Sequence, residues 1–214
     1  MSPQDPLKPR KRPVQRRSRE TVDAIVEAAA RVLAERGYAH ATTNRIAETA
    51  GVSIGSLYEY FPNKDAILVA VAERHLAQML DGVERALAVA DGVVDSLDGL
   101  VRRLIEALLE IHERSSDLDR VLFSEAPHPP ALHACVLQIE GRLAHAVEGL
   151  LQRVAELELR DADTAAHLVV QTAEALIHRF VQHGIHDLSR GDFVDEVAAL
   201  LGGYLRGAGS TLGA

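Results

Sequence analysis

The chain has 214 residues, of which 47% are hydrophobic and 25% charged, and its formal net charge is −8. This length and apolar content suit one domain or two small ones and exclude an intrinsically disordered chain. No apolar run reaches the roughly 18 residues of a membrane span, and no apolar stretch follows the basic N-terminus as in a signal peptide. The lone Cys135 excludes a disulfide framework and a thiolate-rich zinc site. We therefore expect a cytoplasmic protein without membrane contact.

The charge is unevenly distributed along the chain. Residues 1–64 contain 11 Lys/Arg and 7 Asp/Glu, a net +4, whereas residues 65–214 contain 12 and 24, a net −12. Residues 1–17 form a basic arm in which four prolines predict an extended or disordered segment. Basic arms of this kind commonly contact polyanions, although a solubilising tail is the alternative.

Helical periodicity accounts for nearly all of the remaining chain. Apolar residues recur at three- and four-residue steps from Ser18 to the helix-ending Gly37. Further helices are predicted at 43–50, 53–60, 64–90, 95–115, 118–125, 129–157, 162–184 and 191–206. Asp161 and Ser189 are predicted N-caps. No segment alternates as a strand would, so the fold class is all-α, with about nine helices.

The segment 42–68, TTNRIAETAGVSIGSLYEYFPNKDAIL, contains a helix, a tight turn and a second helix. Thr43 is predicted to cap the first helix, Gly51 to end it with a positive φ, and Ser53 to cap the second. This arrangement is typical of a helix-turn-helix motif, whose second helix fits the major groove of DNA. The alternative is a three-helix surface bundle that binds nothing.

The same segment resembles the DNA-binding domain of TetR-family transcriptional regulators. The resemblance implies a helix-turn-helix domain at residues 18–64 and a helical effector-binding and dimerisation domain at residues 65–214. It also implies a homodimeric repressor that a small molecule releases from a palindromic operator in double-stranded DNA. The alternative is a DNA-organising or division-control protein with this fold and no small-molecule effector.

The resemblance assigns DNA contacts residue by residue. Phosphate contacts fall to Thr43, Ser53, Tyr58, Tyr60 and Lys64; base edges to Asn44, Arg45, Ile54, Gly55 and Ser56; and flanking contacts to Arg16, Arg17 and Arg19. Arg45 has the geometry to bind guanine, and Asn44 to bind adenine. For Arg45 the alternative is a surface ion pair with Glu48.

Residues 65–214 offer weaker assignments. The last two helices carry apolar stripes that predict a dimer interface through Ala166, Val169, Ala173, Leu176, Val197, Leu201 and Tyr204, unless these residues are core. Few aromatic residues lie here, which disfavours a caged cation and favours an aliphatic or acyl effector. Predicted pocket residues are Leu108, His112, Phe123, Leu137 and Phe180, with plain core packing as the alternative.

No enzymatic activity, metal site or cofactor is predicted. His178, His183 and His186 lie close together in the sequence but without a convincing carboxylate or thiolate partner. Cys135 has no recognisable oxyanion hole or third catalytic member, so we interpret it as a small buried hydrophobe.

Overall fold

The structure is a computed structural model, and it describes residues 16–88, 96–127, 130–154 and 157–210. These residues form α-helices and one π-helix, Val121–Glu125, and contain no strand. The eight α-helices are α1 (Arg16–His40), α2 (Thr43–Ala50), α3 (Ile54–Tyr60), α4 (Lys64–Ala88), α5 (Leu97–Arg120), α6 (Pro130–Leu151), α7 (Ala162–His183) and α8 (Arg190–Ser210). The all-α prediction is confirmed, with eight α-helices in the described ranges where about nine helices were predicted. None of these helices has the length and apolar run that a membrane-spanning segment needs.

The N-terminal arm was predicted to reach residue 17. Residues 1–15 lie outside the described ranges, whereas Arg16 and Arg17 form the first turn of α1. That part of the prediction is wrong: helical structure begins before Ser18.

The predicted helix break at Ser115-Ser116 is also wrong. The Ser115 hydroxyl donates to the carbonyl of Ile111, 2.8 Å away, so the serine side chain bonds within the helix and does not interrupt it. The helix continues to Arg120 and then widens into the π-helix, which the Ala126 N–H closes on the carbonyl of Val121 at 2.9 Å. Two predicted helices are therefore one α-helix with a π-helical end.

Local signals at other helix ends behave as predicted. The Asp161 carboxylate accepts from the backbone N–H of Thr164 at 3.0 Å and caps α7. The Ser189 hydroxyl accepts from the Asp192 N–H at 3.2 Å and donates to its carboxylate at 2.6 Å, which forms a reciprocal cap on α8. Such caps stabilise a helix by about 1 kcal/mol each.

The chain divides into two compact units. The first takes residues up to Leu76 together with Asp117–Val136, and the second takes Ala77–Ser116 together with residues from Leu137 onward. The first unit thus extends beyond Lys64, and it includes the π-helix.

The core of the first unit joins α1, α2, α3 and the start of α4. Its buried side chains include Ile25, Val32, Leu33, Ile46, Ala47, Leu57, Phe61, Ile67, Leu68, Val121, Leu122 and Leu132. Within it the side chains of His75 and Asp119 are buried and lie 2.5 Å apart. Because each buried polar group satisfies the other, this pair links α4 to α5 without leaving an unsatisfied group.

The core of the second unit is almost entirely aliphatic. It contains Leu100, Leu104, Ile105 and Leu108 of α5, Val147 and Leu151 of α6, Ala166, Val169, Ala173 and Ile177 of α7, and Phe193, Val197, Leu201 and Leu205 of α8. Exposed ion pairs join α5 to α8, namely Arg102 with Asp195 and Asp98 with Arg206, both at 2.6 Å. Exposed pairs contribute little, so burial of the aliphatic side chains is the main source of stability.

Candidate nucleic-acid interface

Helix α2 begins one residue earlier than its predicted cap implied. Thr42, in extended backbone conformation, is the N-cap, and its hydroxyl accepts from the Arg45 N–H at 3.3 Å. Thr43 is the first helical residue, so the prediction that it caps α2 is wrong. Its hydroxyl lies 3.0 Å from the Tyr58 hydroxyl, which ties the start of α2 to α3.

The turn between α2 and α3 forms as predicted. Gly51 has φ 68° and ψ 27°, and its N–H donates to the Glu48 carbonyl at 3.1 Å. The Val52 N–H donates to the Ala47 carbonyl at 3.0 Å, which completes a left-handed helix end that glycine adopts without strain. Ser53 caps α3 by accepting from the Ser56 N–H at 3.0 Å.

Helix α3 has one buried side and one solvent-facing side. Leu57 and the following Phe61 are fully buried and anchor the helix to the first unit. Ile54 and Tyr58 are 39% and 40% exposed, and Gly55 is also exposed. An exposed helix surface with small side chains, fixed from below by two large ones, is suited to close approach to a DNA groove.

Tyr38, just beyond the end of the helical part of α1, bonds to three other parts of the first unit. Its hydroxyl donates to the Asp65 carboxylate at 2.6 Å, and its carbonyl accepts from the Lys64 ammonium at 2.9 Å. The same ammonium lies 3.6 Å from the centre of the Tyr38 ring, a cation–π contact. The Tyr38 N–H donates to the Glu125 carboxylate of the π-helix at 3.1 Å.

These contacts change the acid–base behaviour of both side chains at the start of the network. Burial, the hydrogen bond to Asp65 and the charge of Asp65 raise the pKa of Tyr38 to about 12. Burial lowers the pKa of Lys64, and the nearby Asp65 carboxylate opposes that shift. The tyrosine therefore stays a neutral hydrogen-bond donor well into the alkaline range.

Gly37 provides the space that Glu125 occupies. The residue has φ 72° and ψ 169°, a non-helical conformation inside the span of α1. A Cβ atom placed there would lie 2.7 Å from a Glu125 carboxylate oxygen. Arg120 also bonds to Glu125, so the carboxylate is held between a guanidinium and the Tyr38 N–H.

The structure brings most of the predicted DNA-contacting residues onto the surface of the first unit. Asn44, Arg45, Ser53, Ile54, Gly55 and Tyr58 are exposed; Thr43, Ser56, Tyr60 and Lys64 are half-buried; and Arg16, Arg17 and Arg19 are exposed at the start of α1. The Arg16 side chain pairs with Glu20 at 2.8 Å. Sequence reasoning missed Tyr38, Asp65 and Glu125, because nothing in the sequence links Glu125 to a backbone N–H 87 residues away.

The predicted effector residues do not form one group. Leu108 and His112 are buried in the second unit, where Phe180 stacks on Phe193 with ring centres 4.1 Å apart. His112 lies 2.8 Å from the Glu174 carboxylate. Phe123 packs against the core of the first unit, and Leu137 is 51% exposed on α6.

The predicted dimer residues are mostly internal to one protomer. Ala166, Val169, Ala173, Val197 and Leu201 are buried within the second unit, Leu176 is half-buried and Tyr204 is 37% exposed. The exposed apolar side chains of α7 and α8 are instead Leu168, Leu200 and Tyr204. Among the described residues, no group of three His, Cys, Asp or Glu side chains could hold a metal ion.

Family comparisons match both parts of the chain. Residues 25–71 match the model described as bacterial regulatory proteins, tetR family, and residues 96–205 match the tetracyclin repressor-like C-terminal domain. The second match alone covers about half of the 214 residues.

Individual relatives and structures agree with this match. The HTH-type transcriptional activator FasR of Mycolicibacterium smegmatis is 29% identical over 178 residues, which cover 83% of this chain and 77% of FasR. The nucleoid occlusion factor SlmA of Glaesserella parasuis is 25% identical over 72% of this chain and 71% of its own length. The transcriptional regulator FadR of Bacillus subtilis, solved in complex with stearoyl-CoA, superposes with a TM-score of 0.62 at 22% identity, over 84% of this chain and 96% of that one. The structural likeness establishes the fold.

Gly37→Ala should destabilise the protein by about 1–3 kcal/mol, because φ 72° is strained for alanine and the new Cβ would displace Glu125. The control is Gly141→Ala in α6, where a Cβ would meet nothing within 4 Å. That control should gain about 0.5–1 kcal/mol of helix propensity. Denaturant unfolding of the three proteins gives both values, and an unchanged Gly37→Ala variant would contradict the role of Glu125.

Tyr38→Phe should reveal the raised pKa of Tyr38 as a pH-dependent loss of stability. The folded state favours the neutral phenol, so its stabilising contribution is complete below about pH 10, where the unfolded tyrosine titrates. It is then lost as the pH rises towards the folded value of about 12. The difference in unfolding free energy between wild type and Tyr38→Phe should therefore shrink between about pH 10 and 12. A difference that stays constant across this range would show that Tyr38 is not held as described.

Proposed function

The chain belongs to the TetR family of bacterial regulatory proteins and is a DNA-binding transcriptional regulator, and we propose that it represses transcription as an effector-responsive homodimer on a pseudo-palindromic operator. The observation that carries the DNA-binding part is the exposed face of α3, held from below by the buried Leu57 and Phe61. We assign DNA binding to residues 18–64, and effector binding and dimerisation to residues 65–214. Since the operator is cytoplasmic, we also assign the protein to the cytoplasm.

We propose that α3 enters the major groove and that α2 lies across its edge. Asn44, Arg45, Ile54, Gly55 and Ser56 would then face base edges, while Thr43, Ser53, Tyr58, Tyr60 and Lys64 would face phosphates, with Arg16, Arg17 and Arg19 beside the half-site. The bond from Lys64 to Tyr38 is compatible with this role, since an ammonium has three N–H donors.

For the effector we propose a molecule with an acyl chain. The second unit has an aliphatic core, and the structurally similar FadR of Bacillus subtilis was solved with stearoyl-CoA. Leu108, His112 and Phe180 remain the proposed lining residues in this unit, with the His112–Glu174 pair as a polar group. Phe123 lies in the first unit and Leu137 is exposed, so their role in a pocket has no support from burial.

For the dimer we propose the outward face of α7 and α8. Leu200 is 55% exposed and Leu168 45% exposed, and Ala199, Gly203 and Gly207 are exposed at four-residue spacing on α8. A glycine inside a helix costs about 0.5–1 kcal/mol relative to alanine, so close packing against another helix would explain Gly203. A Cβ at Gly203 would meet nothing within 4 Å in the protomer, which leaves that space to a partner.

A second candidate function is organisation of the nucleoid. The similarity to SlmA, a nucleoid occlusion factor, extends over 72% of this chain. Under this alternative, binding sites would be dispersed over the genome and no small molecule would change the affinity. Genome-wide mapping of binding sites distinguishes the alternatives, because a regulator should occupy a few promoters.

Selection of binding sites from random duplexes tests the DNA-binding proposal. Wild type should select a two-fold symmetric sequence, and its affinity should fall steeply with salt because cationic side chains displace counterions from phosphates. Arg45→Ala should relax the preference at one base position of each half-site and cost about 1–3 kcal/mol.

The control is Arg31→Ala, which removes an exposed arginine from α1 that is assigned no DNA contact. It should select the same sequence as wild type. If Arg45→Ala also selects that unchanged sequence, Arg45 does not read a base, and if wild type selects no sequence at all, the proposed function is wrong.

Leu200→Glu should convert the dimer to a monomer, since a charge would be buried in the centre of the proposed interface. Sedimentation velocity on the variant and on Leu137→Glu measures this. Leu137 is 51% exposed on α6, away from the face of α7 and α8, so that substitution should leave the dimer intact. Equal sedimentation of both variants with wild type would show that the dimer forms elsewhere.

A further inference from the structure

Arg103 of α5 is a buried charge without a partner. Its Nε and Nη2 atoms are inaccessible to solvent and make no hydrogen bond, and they are the only such side-chain atoms in the described part of the chain. A guanidinium stays protonated in proteins, so burial cannot be relieved by loss of a proton. An isolated buried cation is strongly unfavourable, and buried polar groups in native proteins normally have a partner.

The carboxylates of the second unit that form ion pairs are bonded to other groups. These pairs are Asp98 with Arg206, Asp195 with Arg102, Glu84 with Arg142, Glu113 with Arg190 and Glu174 with His112. Glu106, three residues further along α5, is exposed. The partner that Arg103 requires is therefore missing from the described residues.

The surroundings of Arg103 favour an anion. Its Nη1 atom lies 3.8 Å from the position that a Cβ on Gly99 would take, so the guanidinium lies close to the first turn of α5. The Ser96 hydroxyl caps that turn by accepting from the Gly99 N–H at 3.1 Å. Helix N-termini carry a partial positive charge, and here it adds to that of the guanidinium without a bonded anion.

The same face of α5 is apolar on either side of Arg103. Leu100 lies three residues before it and Ala107 four residues after it, and both are buried. A ligand that contacts Arg103 and this face must therefore combine an anionic group with an apolar one.

We propose that Arg103 binds the anionic group, a carboxylate or a phosphate, of an amphipathic organic anion whose apolar part packs in the second unit, and that this anion is the effector. The inference rests on the proposed function, since it names the chemical class of the effector. The guanidinium accounts for recognition, because its planar donors match a carboxylate or phosphate with two parallel hydrogen bonds.

The test compares Arg103→Met with Arg102→Met, which removes the adjacent exposed arginine that pairs with Asp195. Methionine keeps most of the aliphatic stem and removes the charge. Without ligand, Arg103→Met should melt a few degrees higher than wild type, because an uncompensated buried charge is gone. Titration calorimetry with dodecanoate, dodecanoyl-CoA and uncharged dodecanol should show that wild type prefers one of the anions over the alcohol, and that Arg103→Met binds that anion at least tenfold more weakly. Arg102→Met should bind as wild type does.

Comparison of dodecanoate and dodecanoyl-CoA decides whether the bound group is a carboxylate or a phosphate. A ligand-free Arg103→Met that melts below wild type would overturn the proposal, because it would reveal an internal carboxylate partner; Asp91 and Asp95, outside the described ranges, are then the residues to replace. Binding of neither anion by wild type, or equal binding by Arg103→Met, would also overturn it.

Operator binding by the ligand-free variants separates this inference from the proposed function. Arg103→Met should keep wild-type affinity for the selected DNA and should no longer respond to the anion. Failure of wild type to bind DNA would refute the proposed function, whereas normal DNA binding with any of the contrary results above would refute the role of Arg103 alone.

Discussion

The arrangement of the first unit depends on the contacts of Tyr38. Its N–H, carbonyl, hydroxyl and ring each have a partner, supplied by Glu125, Lys64 and Asp65. Lys64 and Asp65 begin α4, and Tyr38 follows the end of the helical part of α1, so these bonds join the two helices that flank α2 and α3 in the chain. The recognition surface is therefore held at both ends, while Leu57 and Phe61 hold it from below.

The π-helix explains how a distant residue reaches this point. A π-turn contains one more residue than an α-turn and changes the direction of the side chains that follow it. Here it places the Glu125 carboxylate against Gly37, where only a residue without a Cβ leaves room. The geometry next to α2 is thus set partly by residues 121–125, which lie far from the helix-turn-helix in the sequence.

Charge is used differently in the two units. The basic residues of the first unit lie mostly at its surface, where they are available to phosphates, whereas the arginines of the second unit are largely neutralised by pairs such as Arg102 with Asp195. The net −12 of residues 65–214 should repel a DNA duplex and favour approach through the basic first unit. Arg103 is the exception in the second unit, because its charge is buried and has no partner among the described residues.

The sequence alone determined the all-α fold, the helix-turn-helix and its family, because caps, the Gly51 turn and apolar periodicity act over a few residues. Even there, two adjacent threonines could each cap α2, and the choice of Thr42 was visible only with Thr43 placed beside Tyr58. The tertiary structure decided which faces of α7 and α8 are core, that Glu125 bonds to Tyr38 and that Arg103 is buried alone. These outcomes depend on contacts between residues far apart in the chain, and periodicity shows that a helix has an apolar face without showing which neighbour covers it.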